Sequence, residues 1–305
     1  MEKMLKQKGN KKEIIDFNNP FTKKGNWYKG CLHLHTTNSD GTLTPYEICK
    51  NYKSAGYDFI SITDHNKFTM PSDSHNLLLI PGIELTSNRK GEFHLVCIGV
   101  AKDIDVKGFF PQQMINTVNF KKGIPIIAHP YWSGLTSSYI LKLSGWFGIE
   151  IYNNTCERRW GKGSSTIHWD EILQKGRKCF GFAVDDAHHH LGEFREDDIT
   201  GSFIMVKASK LEEGEILNSI KNGFFYSSTG PLIKNFEIYK KKIYIKTTPV
   251  YTINFVGYGW TGQLFSGKGK EITEIEYTIK GNEKYIRVEI TDKNNKKAWT
   301  NPVYL

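Results

Sequence analysis

The 305-residue sequence predicts an α/β fold in which a barrel of β/α units is followed by a small all-β appendage. Between residues 28 and 230, short apolar runs with strand character alternate with amphipathic stretches that end in glycine. After Gly230-Pro231 the pattern changes to alternating strands and turns without a helical period, as in KIYIKT and YTINFVG. The expected organisation is therefore an N-terminal extension (1–27), a barrel (28–231) and a β-rich appendage (232–305).

Eight apolar runs are the strand candidates of the first 230 residues, and eight strands suit a barrel. In chain order they are GCLHLHT (30–36), YDFISIT (57–63), LLLIPGIEL (77–85), FHLVCIGV (93–100), IPIIAH (124–129), GIEIYN (148–153), CFGFAV (179–184) and FIMVKA (203–208).

Two helix starts are marked between these strands. The segment Thr44–Glu47 offers an N-cap threonine, a proline at the first helical position and a capping-box glutamate, with Gly56 as the stop. Ser209 and Glu212 repeat the S-x-x-E pattern and predict a second helix, which ends near Gly223.

Composition excludes several classes of protein. Hydrophobic and charged contents of 39% and 24% are ordinary for a globular chain, and no apolar run approaches the roughly eighteen residues of a membrane span. The basic N-terminus lacks the apolar core of a secretory signal, so a cytoplasmic location is the expectation. Five widely spaced cysteines without a C-x-x-C pair indicate neither a disulfide framework nor a thiolate zinc site.

The net charge of +9 raises the question of an anionic partner. The lysines are dispersed along the chain, however, and do not form one binding stripe, so nucleic-acid binding is not favoured. A small-molecule substrate is the expected partner, and the sequence leaves the oligomeric state open.

Histidines and carboxylates recur at or near the ends of the predicted strands. His33 and His35 are two residues apart, so the pleat of a strand directs both to one face. Asp40 follows in a Ser-Asp-Gly turn, and Asp64-His65 end the next strand, where barrel active sites lie. Each motif alone has an ordinary structural explanation, and the prediction depends on their accumulation.

Later strands continue this pattern. Glu84 is embedded in LLLIPGIEL, and a carboxylate among such residues requires a cation or hydrogen-bond donors. A set rich in imidazole and oxygen and without thiolate suits zinc, manganese or iron. Because the candidate ligands exceed what one ion needs, two or three divalent metal ions are expected on His33, His35, Asp40, His65, Glu84, His94, His129, Asp186 and His188.

The ordered series H-x-H…S-D-G, T-D-H-N, P-G-I-E, A-H-P and D-A-H resembles the polymerase-and-histidinol-phosphatase (PHP) family of metal-dependent hydrolases. Further segments, namely NWYKGCLHLHT, AHPYWSG, IEIYNN, VDDAH, FYSSTGP and KAWTNP, resemble its carbaryl-hydrolase-like branch. This resemblance implies a distorted barrel of about seven β/α units, with a trinuclear site on its open end. Cys31 stands where that branch commonly has asparagine, and core packing is the preferred interpretation.

The resemblance also implies an assignment of ligands to three ions, with Glu84 as a bridge between the first two. The first set is His33, His35, Glu84 and Asp186; the second is Glu84, His94 and His129; the third is Asp40, His65 and His188. Asp186 is preferred over its neighbour Asp185, since the D-x-H spacing puts Asp186 and His188 on one face.

Five further residues are candidates for catalysis or substrate binding. Asp64 could orient a ligand or shuttle a proton, or could only cap the next helix. Arg158 and Arg159 could clamp a phosphate or carboxylate, with surface solvation as the alternative for at least one of them. Tyr131 and Trp132 could form an aromatic wall for a flat substrate, or pack beneath the barrel rim.

The predicted function is a hydrolase in which a metal-bound hydroxide attacks the substrate, because a bound cation lowers the pKa of its water to roughly 7. A phosphoesterase acting on a small phosphorylated molecule or nucleotide is favoured. A carboxylic or carbamic ester hydrolase is the first alternative, and a non-catalytic binding module is the second.

Overall fold

A computed structural model describes residues 17–87, 93–192 and 197–305, so residues 1–16 of the expected N-terminal extension lie outside the described residues. The described helices are α1 (Pro45–Ser54), α2 (Pro111–Phe120), α3 (Ser137–Ile140), α4 (Asn154–Trp160), α5 (Thr166–Gln174) and α6 (Glu213–Lys221). None of them is long and apolar enough to cross a bilayer.

The described strands fall between Asn26 and Tyr304. They are β1 (Asn26–Cys31), β2 (Phe59–Ile60), β3 (Leu78–Leu79), β4 (Gly82–Thr86), β5 (His94–Ile98), β6 (Ile124–Ile127), β7 (Gly148–Asn153), β8 (Phe180–Val184), β9 (Phe203–Ala208), β10 (Phe225–Ser228), β11 (Ile233–Tyr239), β12 (Lys242–Val250), β13 (Thr252–Gly257), β14 (Gly262–Ser266), β15 (Ile272–Thr278), β16 (Tyr285–Thr291), β17 (Lys297–Thr300) and β18 (Val303–Tyr304).

Helix α1 forms where the capping signals predict it. The Thr44 side chain accepts the backbone N–H of Glu47, whose carboxylate accepts the Thr44 N–H in return. Helix α6 differs from the expectation. Its N-cap is Glu212, and the Ser209 hydroxyl instead donates to the Glu215 carboxylate at 2.5 Å, so Ser209 does not cap the helix.

Three sheets organise the described strands. The largest has the order β14-β13-β16-β17-β10-β9-β1-β2-β3, with β18 on β16; a second is β4-β5-β6-β7-β8, and a third is β11-β12-β15. The strands β6, β7 and β8 are mutually parallel, as are β1, β2 and β3. The fold is thus a mixed α/β fold with a β-rich C-terminal region.

A closed (β/α)7 barrel is not confirmed. Strand β5 pairs antiparallel with both β4 and β6, and β9 pairs antiparallel with β1, so the β/α alternation is interrupted. The two larger sheets meet through isolated parallel bridges, one between Leu34 and Ala187 and one between His65 and Glu84. These bridges lie beyond the ends of β1, β2 and β8. They bring together the strand ends that carry the histidines and carboxylates.

Five C-terminal strands, β13, β14, β16, β17 and β18, continue the large sheet, since β17 pairs with β10, which pairs with β9. An ion pair also links strand β16 to helix α5. The Arg287 guanidinium, 2% exposed, donates from Nε and Nη2 to the two carboxylate oxygens of Asp170 in α5, each at 2.8 Å. The Arg287 guanidinium also lies 4.9 Å from the centre of the Trp169 ring.

Candidate metal centre

The nine expected ligands lie together around one cavity of about 220 Å³ or directly behind its wall. His33 and His35 follow β1, His65 follows β2, and Glu84 lies within β4. His94 begins β5 because that strand runs antiparallel to β4 and therefore starts where β4 ends. The remaining ligands come from three loops, with Asp40 after β1, His129 after β6, and Asp186 and His188 after β8.

Local backbone geometry places several of these side chains. A Cβ at Gly82 would lie 2.2 Å from the Ser61 hydroxyl, so only glycine lets β4 approach the β2 segment this closely and bring Glu84 inward. His129 and Asp186 have positive φ angles of 27° and 55°. Non-glycine residues rarely adopt such angles, and they concentrate at functional sites.

Four ligand atoms form a compact group. The Nε2 atoms of His33 and His35 are 3.1 Å apart, and each lies 3.0 to 3.1 Å from Asp186 Oδ1. Glu84 Oε2 is 3.3 Å from the first ring nitrogen and 3.2 Å from the second. A tetrahedron with ligand bonds of about 2.0 Å has edges of about 3.3 Å. The spacing therefore fits a small divalent cation.

An orphaned atom supports the same fit. Glu84 is fully buried, and its Oε2 has no hydrogen bond of good geometry among the described residues, although His65 Nδ1 lies 2.9 Å away and the Nε2 atoms of His33 and His35 lie 3.3 and 3.2 Å away. A buried carboxylate oxygen without a partner is costly. A shared cation would compensate both this oxygen and the facing lone pairs of the imidazoles.

Two further groups overlap the first. In one, Asp40 Oδ2 lies 3.3 Å from His188 Nε2 and 3.6 Å from His65 Nε2, while Asp40 Oδ1 lies 3.5 Å from His35 Nδ1. In the other, Glu84 Oε1 lies 3.0 Å from His94 Nδ1 and 3.4 Å from His129 Nε2. Glu84 thus directs one oxygen to each of two neighbouring groups.

The electrostatics of the cluster are dominated by burial and charge pairing. Burial alone would raise the pKa of Glu84, but His33, His65 and His94 outweigh it and hold that pKa well below its usual range. Burial alone would lower the pKa of His65, yet Glu84 and Asp40 raise it to about 10. So many paired acids and imidazoles are typical of a site that binds cations.

Asp64 is fully buried and lies outside the cavity lining. Its carboxylate accepts hydrogen bonds from the Thr36 N–H and hydroxyl (both 2.7 Å) and from the Ser39 and Thr69 hydroxyls (both 2.6 Å). Both oxygens are occupied, so the placement favours positioning over direct proton transfer. Ser39 also lies 3.3 Å from His35 Nδ1, which connects Asp64 to a ligand.

The structure separates the two arginines. Arg159 lines the cavity, and its Nη2 donates to Asp198, which is 1% exposed, at 2.5 Å. Its Nη1 lies 3.2 Å from His190 Nδ1. Arg158 is not among the described lining residues, and its Nε donates to Asn154 Oδ1 at 3.1 Å. Arg159 therefore faces the cavity, and Arg158 does not line it.

The two aromatic candidates also separate. The Trp132 ring lines the cavity, with its centre 4.9 Å from that of His129 and 5.5 Å from that of Trp160. Tyr131 is 44% exposed, lies outside the described lining, and its ring is 6.3 Å from that of His168. The aromatic wall consists of Trp132 and Trp160, not of Tyr131 and Trp132.

Sequence reasoning missed several residues in or beside the site: Glu150, Asn153, Thr155, Cys156, Trp160 and His190. Glu150 is 1% exposed and contacts His33, while Asn153 contacts Asp186. A signal for Glu150 was present, since it is a carboxylate within the apolar strand GIEIYN, just as Glu84 lies in PGIEL. His190 lies two residues beyond His188 but does not end a predicted strand, and nothing in the sequence marks Trp160.

The positions of Cys31 and Asp185 agree with the interpretations preferred from the sequence. Cys31 is buried in a core cluster with Leu34, Ile48 and Ile60. Asp185 faces away from the ligand groups, where its carboxylate accepts the Tyr52 hydroxyl at 2.6 Å and the Ser202 N–H at 2.7 Å. Burial raises the pKa of Asp185 to about 6.

No family model matches the sequence, and no curated protein matches it. Several solved structures do match the chain in fold. A two-domain protein from Bacteroides vulgatus, which contains a predicted PHP-like metal-dependent phosphoesterase, has a TM-score of 0.52 at 15% identity, covering 88% of this chain and 91% of that chain.

Two other solved structures overlap with part of the chain. An amidohydrolase from Chromobacterium violaceum, with bound sulfate and no metal, has a TM-score of 0.42 at 15% identity, covering 54% of this chain and 89% of that chain. A candidate metal-dependent phosphoesterase from Bifidobacterium adolescentis has a TM-score of 0.40 at 14% identity, covering 55% and 92%.

None of these comparisons supports the carbaryl-hydrolase-like branch, which stays a prediction. The likeness to the Bacteroides protein extends over most of both chains. At 15% identity it shows the fold alone: this chain has the mixed α/β fold, with a β-rich C-terminal region, of a PHP-like two-domain protein.

Proposed function

We propose that this chain is a metal-dependent hydrolase, and that it acts as a phosphoesterase on a small phosphorylated molecule or nucleotide. The observation that carries the proposal is the convergence of His33, His35, Glu84 and Asp186, whose ligand atoms are spaced as a small cation requires. The likeness in fold to a protein with a PHP-like phosphoesterase domain supports the same reading.

Three sets of residues would hold the ions. They are His33, His35, Glu84 and Asp186; His65, Glu84 and His94, with His129 Nε2 3.4 Å from Glu84 Oε1; and His35, Asp40, His65 and His188. Bound zinc, manganese or iron would supply a hydroxide nucleophile at neutral pH and would polarise the phosphoryl or carbonyl group under attack. The donor set contains nitrogen and oxygen and no thiolate, which suits all three metals.

The remaining wall of the cavity would bind the substrate. Arg159 carries a planar guanidinium that matches the oxygens of a phosphate, and Asp198 and His190 hold it in place. Trp132 and Trp160 provide an apolar surface beside it for the rest of the molecule. A cavity of about 220 Å³ suits a small molecule better than a duplex nucleic acid.

A carboxylic or carbamic ester hydrolase is the second candidate. The pair Trp132 and Trp160 favours it, since two indoles beside the metal centre suit a neutral aromatic ester as well as a phosphate. A non-catalytic binding module is disfavoured, because a domain without catalysis has no need for nine ligand residues around one cavity.

The test is hydrolysis of an aryl phosphate, an aryl acetate and an aryl N-methylcarbamate by manganese- or zinc-loaded protein, with His33→Ala/His35→Ala as the control. Phosphate cleavage that disappears in the control supports the phosphoesterase. Cleavage of the acetate or carbamate alone supports the second candidate. Inactivity on all three substrates despite full metal loading would count against the proposed substrate classes and favour the binding module.

A further inference from the structure

Glu150 in β7 does not line the cavity. Its carboxylate nevertheless contacts two of the proposed ligands directly. Its Oε1 lies 2.6 Å from His33 Nδ1. Its Oε2 accepts the backbone N–H of His129 at 2.7 Å and the Asn153 amide at 2.9 Å. The side chain therefore joins residues that follow β1 and β6 to its own strand.

Asn153 extends these contacts to a third ligand. The same amide nitrogen that donates to Glu150 also donates to Asp186 Oδ2 at 3.0 Å. Its Oδ1 accepts the Cys156 N–H at 2.9 Å and caps α4. Through this amide, Glu150 is connected to the loop that follows β8.

The contact with His33 defines where the ring carries its proton. Glu150 Oε2 accepts two N–H groups, which favours the ionised carboxylate, and an ionised carboxylate can only accept at Oε1, so His33 Nδ1 then bears the hydrogen between the two atoms. In the neutral ring, Nε2 then has a free lone pair. That nitrogen is the atom of His33 that faces His35, Glu84 and Asp186.

The contact with His129 holds a strained backbone. His129 has a φ of 27°, outside the regions that side-chain-bearing residues prefer, and its N–H is the group that Glu150 accepts. Removing this acceptor would release the backbone and the imidazole that it presents to Glu84 Oε1, 3.4 Å away.

We infer that Glu150 is a positioning residue that fixes the tautomer of His33 and couples the geometry of two metal-binding groups, the one around His33 and Asp186 and the one that contains His129. This inference rests on the proposed metal-dependent function. It assigns to Glu150 no contact with substrate.

Glutamine cannot replace Glu150 in either orientation of its amide. With the NH2 group at the Oε2 position, it would face two donors, His129 N–H and the Asn153 amide, and both hydrogen bonds would be lost. With the NH2 group at the Oε1 position, His33 Nδ1 would have to accept, which moves the ring proton to Nε2 and blocks the ligand lone pair.

The first experiment compares Glu150→Gln with wild type by competition titration of zinc against a chromophoric chelator. The matched control is Glu283→Gln, which removes another fully buried carboxylate, one that accepts the Tyr277 hydroxyl and the Lys280 N–H in the β-rich region. We expect zinc affinity to fall about 10- to 100-fold in Glu150→Gln and to stay within about twofold in the control.

The second readout is the proton on His33 Nδ1, observed by ¹H–¹⁵N NMR of metal-free protein and assigned by its loss in His33→Asn. We expect a downfield Nδ1–H signal in wild type that disappears in Glu150→Gln. Because no metal is present, this readout decides the inference even where the metal-binding proposal fails. A wild-type ring without a proton on Nδ1 would overturn it.

Asn153→Ser provides a variant that keeps the fold of α4, since serine is a good N-cap but is too short to reach Glu150 and Asp186 together. We expect reduced zinc affinity with an unchanged His33 Nδ1–H signal. Unchanged zinc affinity in both Asn153→Ser and Glu150→Gln would overturn the coupling. Should Glu150→Gln fail to fold, Asn153→Ser and the wild-type NMR signal decide the inference.

Discussion

Tyr131 and Trp132 are adjacent in the chain but contact different parts of the protein. The Trp132 ring lies 4.9 Å from that of His129, on the cavity wall. The Tyr131 ring lies beside His168, and its N–H donates to the Ser165 hydroxyl at 3.1 Å. The two neighbours therefore form a matched pair for testing which surface meets the substrate.

We expect Trp132→Ala to raise KM for an aryl substrate about tenfold, because the variant loses an aromatic contact worth about 1.4 kcal/mol. Tyr131→Ala should leave KM within about twofold, as surface substitutions generally do. Steady-state kinetics of both variants checks this. Equal effects of the two substitutions would contradict the assignment of the wall.

Asp64→Asn should lower the free energy of unfolding by about 2 to 4 kcal/mol, because an amide NH2 would face buried donors that now share a carboxylate. Asp103→Asn is the control, since Asp103 is exposed and accepts one N–H, from Phe68 at 2.7 Å. Denaturant unfolding measures both. Unchanged stability with a shifted pH profile of kcat would instead support a proton shuttle.

Substitution of Arg159 and substitution of Arg158 are expected to affect phosphate hydrolysis differently. Arg159→Gln should lower kcat/KM for an aryl phosphate about 100-fold, since a charge-assisted contact in a desolvated site is lost. Hydrolysis of a neutral ester should change much less. Arg158→Gln serves as the matched control and should remain near wild type for both substrates. Loss of phosphate activity in Arg158→Gln alone would reverse the assignment.

The Glu289 carboxylate is expected to stabilise the folded protein at neutral pH and to lose this effect in acid. Burial alone would raise its pKa, but Arg287 and Lys297 outweigh it and hold the pKa below the ordinary value of 4.5. A carboxyl group with a lowered pKa in the folded state stabilises the protein above pH 4.5 and loses this contribution as the pH falls below it.

Glu289→Gln should therefore be less stable than wild type at pH 7, by about 1 to 2 kcal/mol, and the difference should shrink as the pH falls from 4.5 towards 3. Urea unfolding across this range measures the effect. A difference that is constant with pH would show that Glu289 acts through packing and not through its charge.

The strand ends could be predicted because period-2 patterning and turn residues are local properties of the sequence. His33 and His35 share one face for that reason, and Asp64-His65 and Asp186 mark places where apolar runs stop. The same logic applies to Glu150, since a carboxylate within a buried strand needs donors whether or not it faces the cavity.

The rest depends on long-range pairing that local patterns do not encode. The antiparallel pairing of β4 and β5 is one example, and it makes His94 the start of its strand. Arg158 and Arg159 look alike in the sequence, and only the short helix α4 determines which one meets Asp198. Trp160 lines the cavity because it ends the same helix.

The most direct test of the metal-centre account is metal analysis after equilibrium dialysis against zinc or manganese, for wild type and His33→Ala/His35→Ala. The account predicts two or three ions per wild-type chain and the loss of at least one in the variant, because both substitutions remove ligands of the same group. Less than one ion per wild-type chain, or equal stoichiometry in the two proteins, would contradict it.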